Sequence, residues 1–316
     1  MGKANFVIIG LSILLFVVFL SNSCIFNKEI KQDTKISTFR SQIHTILDSL
    51  NEPLERIEAF DSLIVDIADD KDIVSDRKRN GLLVEVYNVL GNEYYSIDSC
   101  RKAIETLSKP IELTPNSADA YYNRGCAYQS ARQYEKALID YNKSISLKPD
   151  YTNAIYNRAL IYETMEDYEK SSVDYLKVIS LNPSYKIDAY YKLGSVYQDM
   201  KMYGKALDAL NTAIGIDSSN VEGYLLKGDV YLEREIYDSV IVEYNNALVY
   251  SPDDLYIIYR RGKVYELVGD YDKAKEDFKY VLDKGADDDY LIRKTIKKDI
   301  KDLDKIKRRS QLRSRK

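Results

Sequence analysis

The residues able to do acid–base, nucleophilic or metal chemistry are few and scattered along this chain. Its single histidine, His44, stands among helically spaced apolar residues and has no histidine companion with which to hold a metal. The three cysteines, Cys24, Cys100 and Cys126, make neither a CxxC pair nor a disulfide framework. Cys126 is a candidate groove thiol, although a small buried hydrophobe is the more usual role for such a residue. No Ser/His/Asp or Cys/His arrangement exists beyond the isolated His44, and no glycine-rich loop could cradle a phosphate. The sequence therefore predicts no enzyme, no cofactor and no metal site. What it does carry is recognition chemistry: tyrosine occurs 29 times and tryptophan never, and asparagines recur at Asn88, Asn92, Asn123 and Asn157. A phenol ring gives rigid contact area, and a carboxamide offers a donor and an acceptor to a peptide group.

The spacing of these residues shows what must position them. Pro115, Pro149 and Pro183 are 34 residues apart, and Pro252 follows after 69. Gly91, Gly125, Gly194, Gly228 and Gly262, with Ala159 in the vacant place, keep the same period apart from one step of 35. Tyr94, Tyr128, Tyr162, Tyr197, Tyr231 and Tyr265 form a third column, and one inserted residue at about Lys186 accounts for every deviation. Each unit reads as two helices, A and B, closed by a proline that lacks an N–H and disfavours helix in the residue before it. Glycine or alanine at the eighth place lets helix A approach helix B. The small residue on helix B, as Ala103 and Ala137, serves that contact from the other side, with Ser171 and Val240 replacing it in the third and fifth units.

A period of 34 with these columns resembles the tetratricopeptide-repeat (TPR) family. The first unit carries Tyr87, Leu90-Gly91, Tyr94, Ala103, Leu107, Pro110 and Pro115 in the family's order, and the second Tyr121, Gly125, Tyr128, Ala137, Tyr141 and Pro149. Local departures are Arg124, Arg158, Lys227 and Arg261 in place of the leucine before the glycine, and Ser218 and Ala286 in place of proline. The resemblance implies an all-α, right-handed superhelical solenoid of six helix-turn-helix repeats, at 84–117, 118–151, 152–185, 187–220, 221–254 and 255–288. A helical cap would precede them over 28–83, broken at Asn51-Glu52-Pro53, and a basic capping helix and tail would follow over 289–316.

In TPR proteins the concave wall is formed mainly by helices A, and partner segments bind there. The fifth place of helix A would face that wall, and it holds Asn88, Tyr122, Tyr156, Tyr191, Leu225 and Tyr259 in turn. This second tyrosine column is not required by the packing pattern, so it reads as a protein-binding surface, with packing between neighbouring helices A as the competing role. Asn123 and Asn157 follow at the sixth place, and the resemblance to the TPR region of O-linked N-acetylglucosamine transferases implies that they clamp a peptide backbone. A chaperone-tail site is excluded: Asn92 and Asn123 match its asparagines, but Asn88, Asn153 and Asn157 stand where its cations belong. Glu85, Asp119, Asp188, Asp199, Glu222, Asp229 and Glu233 predict an acidic wall suited to a basic or neutral peptide or protein and unsuited to nucleic acid. The expected function is a non-enzymatic scaffold. The alternative is a spacer or assembly component of a cell-envelope complex that contacts partners through its convex face or ends.

The termini suggest where the scaffold works. Phe6 to Leu20 is almost unbroken apolar sequence, preceded by Lys3 and followed by Ser21-Asn22-Ser23-Cys24, the build of an export signal. It resembles a bacterial lipoprotein signal, which implies that 1–27 is a signal, lipid-anchor segment and tether, cleaved so that Cys24 becomes the N-terminus and carries the lipid, with Ser21 where that family prefers leucine. An uncleaved anchor running to Phe26 and simple secretion are the other readings. At the far end, Arg293 to Lys316 holds twelve Lys or Arg against three Asp, leaving 34 basic and 47 acidic residues before it. A basic tail on an acidic body suits either a solvated capping helix or an anionic partner, and for an exported protein that partner is an anionic lipid or polymer.

Overall fold

The structure, a computed structural model, describes residues 28–73, 75–181, 183–285 and 290–314, with the side chains of 285, 290–293 and 307–314 excepted. The export signal and Cys24 lie outside the described residues. Those described are helical, with no strand among them. They group into two compact units that divide between Asn157 and Arg158.

In the first unit, α1 spans 28–49 and α2 Pro53–Asp69, with Pro53 in the first turn, where its missing N–H leaves no bond unmade. α3 runs Asp76–Ser96, starting ahead of the first repeat's Val84, and is capped by the Ser75 side chain. α4 (Cys100–Leu113), α5 (Ala118–Ser130), α6 (Tyr134–Leu147) and the start of α7 (Thr152–Thr164) complete the unit. Phe39 and Ile43 of α1 and Ile57, Phe60, Leu63 and Ile67 of α2 share one core with Leu82, Val86 and Leu90 of α3. The hairpin thus buries the face that the first repeat would otherwise expose. Arg56 of α2 reaches Glu93 of α3 at 2.9 Å, and Lys78 reaches Asp33 of α1 at 2.6 Å.

The second unit holds the rest of α7, then α8 (Tyr168–Ser180), α9 (Lys186–Asp199), α10 (Tyr203–Ile216), α11 (Val221–Glu233), α12 (Tyr237–Tyr250), α13 (Leu255–Val268), α14 (Tyr271–Gly285) and α15 (Tyr290–Ser314). Odd-numbered helices from α3 to α13 are helices A, and even-numbered ones from α4 to α14 are helices B.

The A–B contact is tighter than small residues alone would make it. A Cβ added at Gly125 would stand 2.7 Å from the Tyr141 ring, and at Gly228 2.5 Å from the Tyr244 ring. Gly91, Gly194 and Gly262 meet Leu107, Leu210 and Phe278 in the same way. The small residue of helix B lies alongside, as where the Ser171 hydroxyl donates to the Ala159 carbonyl at 3.0 Å. The eighth-place residue therefore admits a bulky side chain of helix B across helix A. Between the helices, Asp98, Arg132, Glu166, Lys201 and Glu235 take φ of 56–60°, with Gly269 at 82°. The next N–H bonds back to the carbonyl of the repeat's column tyrosine, as from Gln133 to Tyr128 at 2.9 Å, the signature of a Schellman turn. Lysines of helix B lie over those same tyrosines: Lys102 over Tyr94 at 5.2 Å, Lys136 over Tyr128 at 5.5 Å and Lys205 over Tyr197 at 5.4 Å.

The four cations that replace leucine before the eighth place each meet an acid on their own helix B. Arg124 grips Asp140 through two bonds of 2.7 and 2.8 Å, Arg158 grips Asp174 through two of 2.7 Å, and Arg261 grips Asp277 at 2.9 and 2.7 Å. Lys227 reaches Glu243 at 2.8 Å. The Asp140 side chain is only 2% exposed, so its charge depends on the bidentate partner. Where leucine remains, at Leu90 and Leu193, the facing places hold Thr106 and Ala209.

Four outcomes follow for unfolding by urea. Gly125→Ala should lose about 1–3 kcal/mol through overpacking against Tyr141. Gly204→Ala, with open space around the added methyl, should be neutral or gain up to about 1 kcal/mol of helix propensity. Asp140→Ala should cost roughly 2–4 kcal/mol by stranding Arg124, while Arg124→Leu with Asp140→Thr should recover most of that loss. A double variant as damaged as the single one would show that the carboxylate serves something other than the arginine.

Candidate functional site

The residues expected to bind a partner lie on helices A, and the two units present different chemistry. In the first unit, Asn88 of α3 and Asn123 of α5 are joined directly: the Asn123 amide donates to the Asn88 side-chain oxygen at 3.0 Å. That bond leaves the Asn88 amide group and the Asn123 side-chain oxygen without a partner among the described residues. Asn92, one turn along α3, is exposed and makes no hydrogen bond to another described residue.

Asn157 of α7 approaches a cluster on α5 and α6. Its amide lies 3.5 Å from the Tyr122 hydroxyl, 3.4 Å from the Tyr141 hydroxyl and 3.5 Å from the Cys126 sulfur. Tyr141 donates to the Gln129 side-chain oxygen at 2.6 Å. Burial pushes the Cys126 thiol up, only partly opposed by its bonds to Tyr141, Tyr122 and Asn157. It is therefore a poor nucleophile at neutral pH. The same burial raises the Tyr141 hydroxyl well above the usual phenol range. This part of the wall is uncharged, half-buried and already hydrogen-bonded to itself.

The fifth-place tyrosines prove unequal, which corrects the expectation that packing does not need them. Tyr122 is half-buried, with its ring 5.0 Å from that of Tyr151 and 6.0 Å from that of Tyr141. Tyr156 is also half-buried. Tyr191 is 3% exposed: its ring fills the space where a Cβ on Gly223 of α11 would stand, and its hydroxyl has no partner among the described residues. Burial, then the charges of Asp217 and Glu222, push that hydroxyl up to about 12. Tyr259 packs 5.5 Å from Phe278 and donates to Asp299 of α15 at 3.2 Å, so the terminal helix already engages it. These rings are used up where a neighbouring helix is short of side-chain volume or offers a carboxylate.

The acidic wall is likewise redistributed. Glu85 is held by Arg40 of α1 and Asp229 is paired with Arg260, while Asp119 is exposed. At the sixth place of the fourth repeat, Lys192 replaces asparagine and lies 3.7 Å from Glu163, which also accepts from Tyr175 at 2.7 Å. Uncompensated acid gathers in the second unit around Asp199. Burial first, then Glu163, Glu233 and Glu166, raise its carboxyl above the ordinary range. No group of acidic, histidine or cysteine side chains among the described residues is placed to hold a metal ion.

Sequence reasoning missed the ion pairs inside the hairpins and the bond from the helix-B tyrosine to the twelfth place of helix A. Both signals were present. Acids stand opposite seventh-place cations and nowhere opposite seventh-place leucines. Tyr141 and Tyr175 face Gln129 and Glu163, whereas Tyr244 faces Leu232, and its hydroxyl lacks such a bond.

Comparison with known proteins agrees with this architecture. Sequence models of the tetratricopeptide repeat match residues 118–151, 152–185, 187–220 and 255–283, and a TPR repeat model matches 91–131, together about half of the chain. No curated protein sequence matches it. Among solved structures, a tetratricopeptide repeat protein from Parabacteroides merdae is 16% identical, covering 85% of this chain and 99% of its own, with a TM-score of 0.57. PilW, a type IV pilus biogenesis factor, is 15% identical over 67% of this chain and 98% of its own, at a TM-score of 0.55. PilF of Pseudomonas aeruginosa is 17% identical over 69% and 98%, at 0.54. At such identities the likeness is one of fold. With its glycine, tyrosine and proline columns carried on paired helices, the chain belongs to the tetratricopeptide-repeat family.

Proposed function

We propose that this protein is a non-enzymatic scaffold that holds an extended segment of another protein along the helix-A wall of its first unit. TPR folds are typical of protein–protein interaction scaffolds. The observation that carries the finer reading is the Asn88–Asn123 bond, which fixes two carboxamides and leaves the Asn88 amide group and the Asn123 side-chain oxygen open. Such a pair matches the acceptor and donor of a peptide group and is indifferent to the partner's side chains. With Glu85 engaged by Arg40, less acid is left on this wall than the sequence alone suggests, and the partner segment bound here is neutral or only weakly basic. Tyr122 and Tyr156 supply contact area beside the asparagines.

A second reading, contact through helices B, is favoured by exposed apolar residues there, among them Val173 at 64% and Val242 at 54%. Photo-crosslinkers placed singly at Asn92 and at Val242 separate the two. The scaffold reading expects an adduct from Asn92 that disappears when Asn88→Ala and Asn123→Ala are added, with helicity unchanged. An adduct from Val242 alone, insensitive to those substitutions, would replace it with the helix-B reading.

We place this scaffold at a membrane outside the cytoplasm, tethered through a lipid on Cys24, a reading that rests on the apolar run and the residues around that cysteine. No described helix is long and apolar enough to cross a membrane. Labelled palmitate should enter the wild-type protein and be lost in Cys24→Ser; equal labelling of both would remove the anchor.

A further inference from the structure

The helix α15 sorts its charges by direction. Ile296 and Leu303 are buried and Ile300 half-buried against α13 and α14. Two of its carboxylates turn to the same side: Asp299 meets Tyr259 and lies 3.8 Å from Lys263, and Asp304 pairs with Lys275. Lys294, Lys297, Lys298, Lys301 and Lys305 are all exposed. At 3.6 residues per turn these five fall within an arc of roughly 100°, opposite the buried isoleucine and leucine, over a length of about 17 Å. Only Lys305 is neutralised, by Asp302 at 2.7 Å. The other four have no carboxylate partner among the described residues. Asp302 is held below its usual range by Lys305 first, and by Lys298 and Lys301 after it. The sequence continues the basic run with Lys307, Arg308 and Arg309.

We propose that this outward lysine face of α15 docks on a membrane surface that carries anionic lipid headgroups. Charge complementarity selects an anionic occupant, worth about 1 kcal/mol for each lysine near such a surface. The composition of the helix selects lipid over nucleic acid: residues 294–306 offer no aromatic ring on which a base could stack. The 34 basic and 47 acidic residues that precede Arg293 would repel a strand tracking beyond the helix. A planar headgroup layer needs to touch the terminal helix alone. This contact is independent of any acyl chain on Cys24 and of what the helix-A wall holds.

The test uses the full-length protein and flotation with vesicles of phosphatidylcholine, with or without phosphatidylglycerol. The apolar N-terminal run contributes equally to both compositions, so their difference reads α15. Affinity for the phosphatidylglycerol vesicles should be higher by on the order of 100-fold, and the excess should fall as salt rises. Replacing Lys294, Lys297, Lys298 and Lys301 with Gln should lower the excess at least about tenfold, leaving only what the basic residues beyond them contribute, and Asp302→Asn, which removes an opposing charge beside the stripe, should enlarge it. If the fourfold variant loses helicity, the Asp302→Asn arm decides. Equal binding of the wild type to both vesicles, or an excess indifferent to Asp302→Asn and to the Gln replacements, would overturn the proposal. Short duplex DNA displacing the protein from the anionic vesicles at a lower phosphate concentration would reassign the face to nucleic acid.

Discussion

The close approach of helix A to helix B at the eighth place is the constraint from which the remaining structure follows. Glycine there, or Ala159 in the third repeat, makes room for a side chain of helix B to pass across helix A, and where that side chain is tyrosine its hydroxyl emerges among residues of the helix-A wall. Tyr141 is the clearest case. Its ring is fully buried in the hairpin, yet its oxygen bonds Gln129 and approaches Cys126 and Asn157. A core residue thus supplies a polar anchor on the helix-A wall, so the wall inherits the rigidity of the core.

The wall is not one surface repeated. In the first unit it is tied together by carboxamides and phenols. In the second it carries Glu163, Lys192, Asp199, Asp229 and Arg260, partly paired with one another. Fold alone does not choose a ligand, and the two units differ in the chemistry they offer one. The same logic governs the terminal helix, which is amphipathic in the usual sense and also divided by charge, with most of its acids spent on internal pairing.

Much of this was legible in the sequence because the period of the repeat leaves so little freedom. Gly91, Gly125 and their successors, the eleventh-place tyrosines and the closing prolines announce the hairpins without reference to coordinates. The wall was less legible, for a physical reason. Whether a fifth-place tyrosine is open depends on residues outside its own repeat. Tyr191 is buried because Gly223 in the next helix A leaves a space for it, and Tyr259 is engaged because Asp299, 40 residues on, reaches back to it. The ion pairs were hidden differently. Arg124 or Arg261 alone reads as a departure from the leucine pattern, and only joint inspection of the facing place on helix B shows that cation and acid occur together.

Those pairs close inside a single hairpin. Arg124 with Asp140, Arg158 with Asp174 and Arg261 with Asp277 each span 16 residues and never leave their own repeat. When a stretch encoding one repeat is duplicated, the cation and its counter-charge are copied together, and the new unit arrives already neutralised whatever its neighbours contain. An array of this kind can lengthen or shorten by whole units without breaking any of these three pairs.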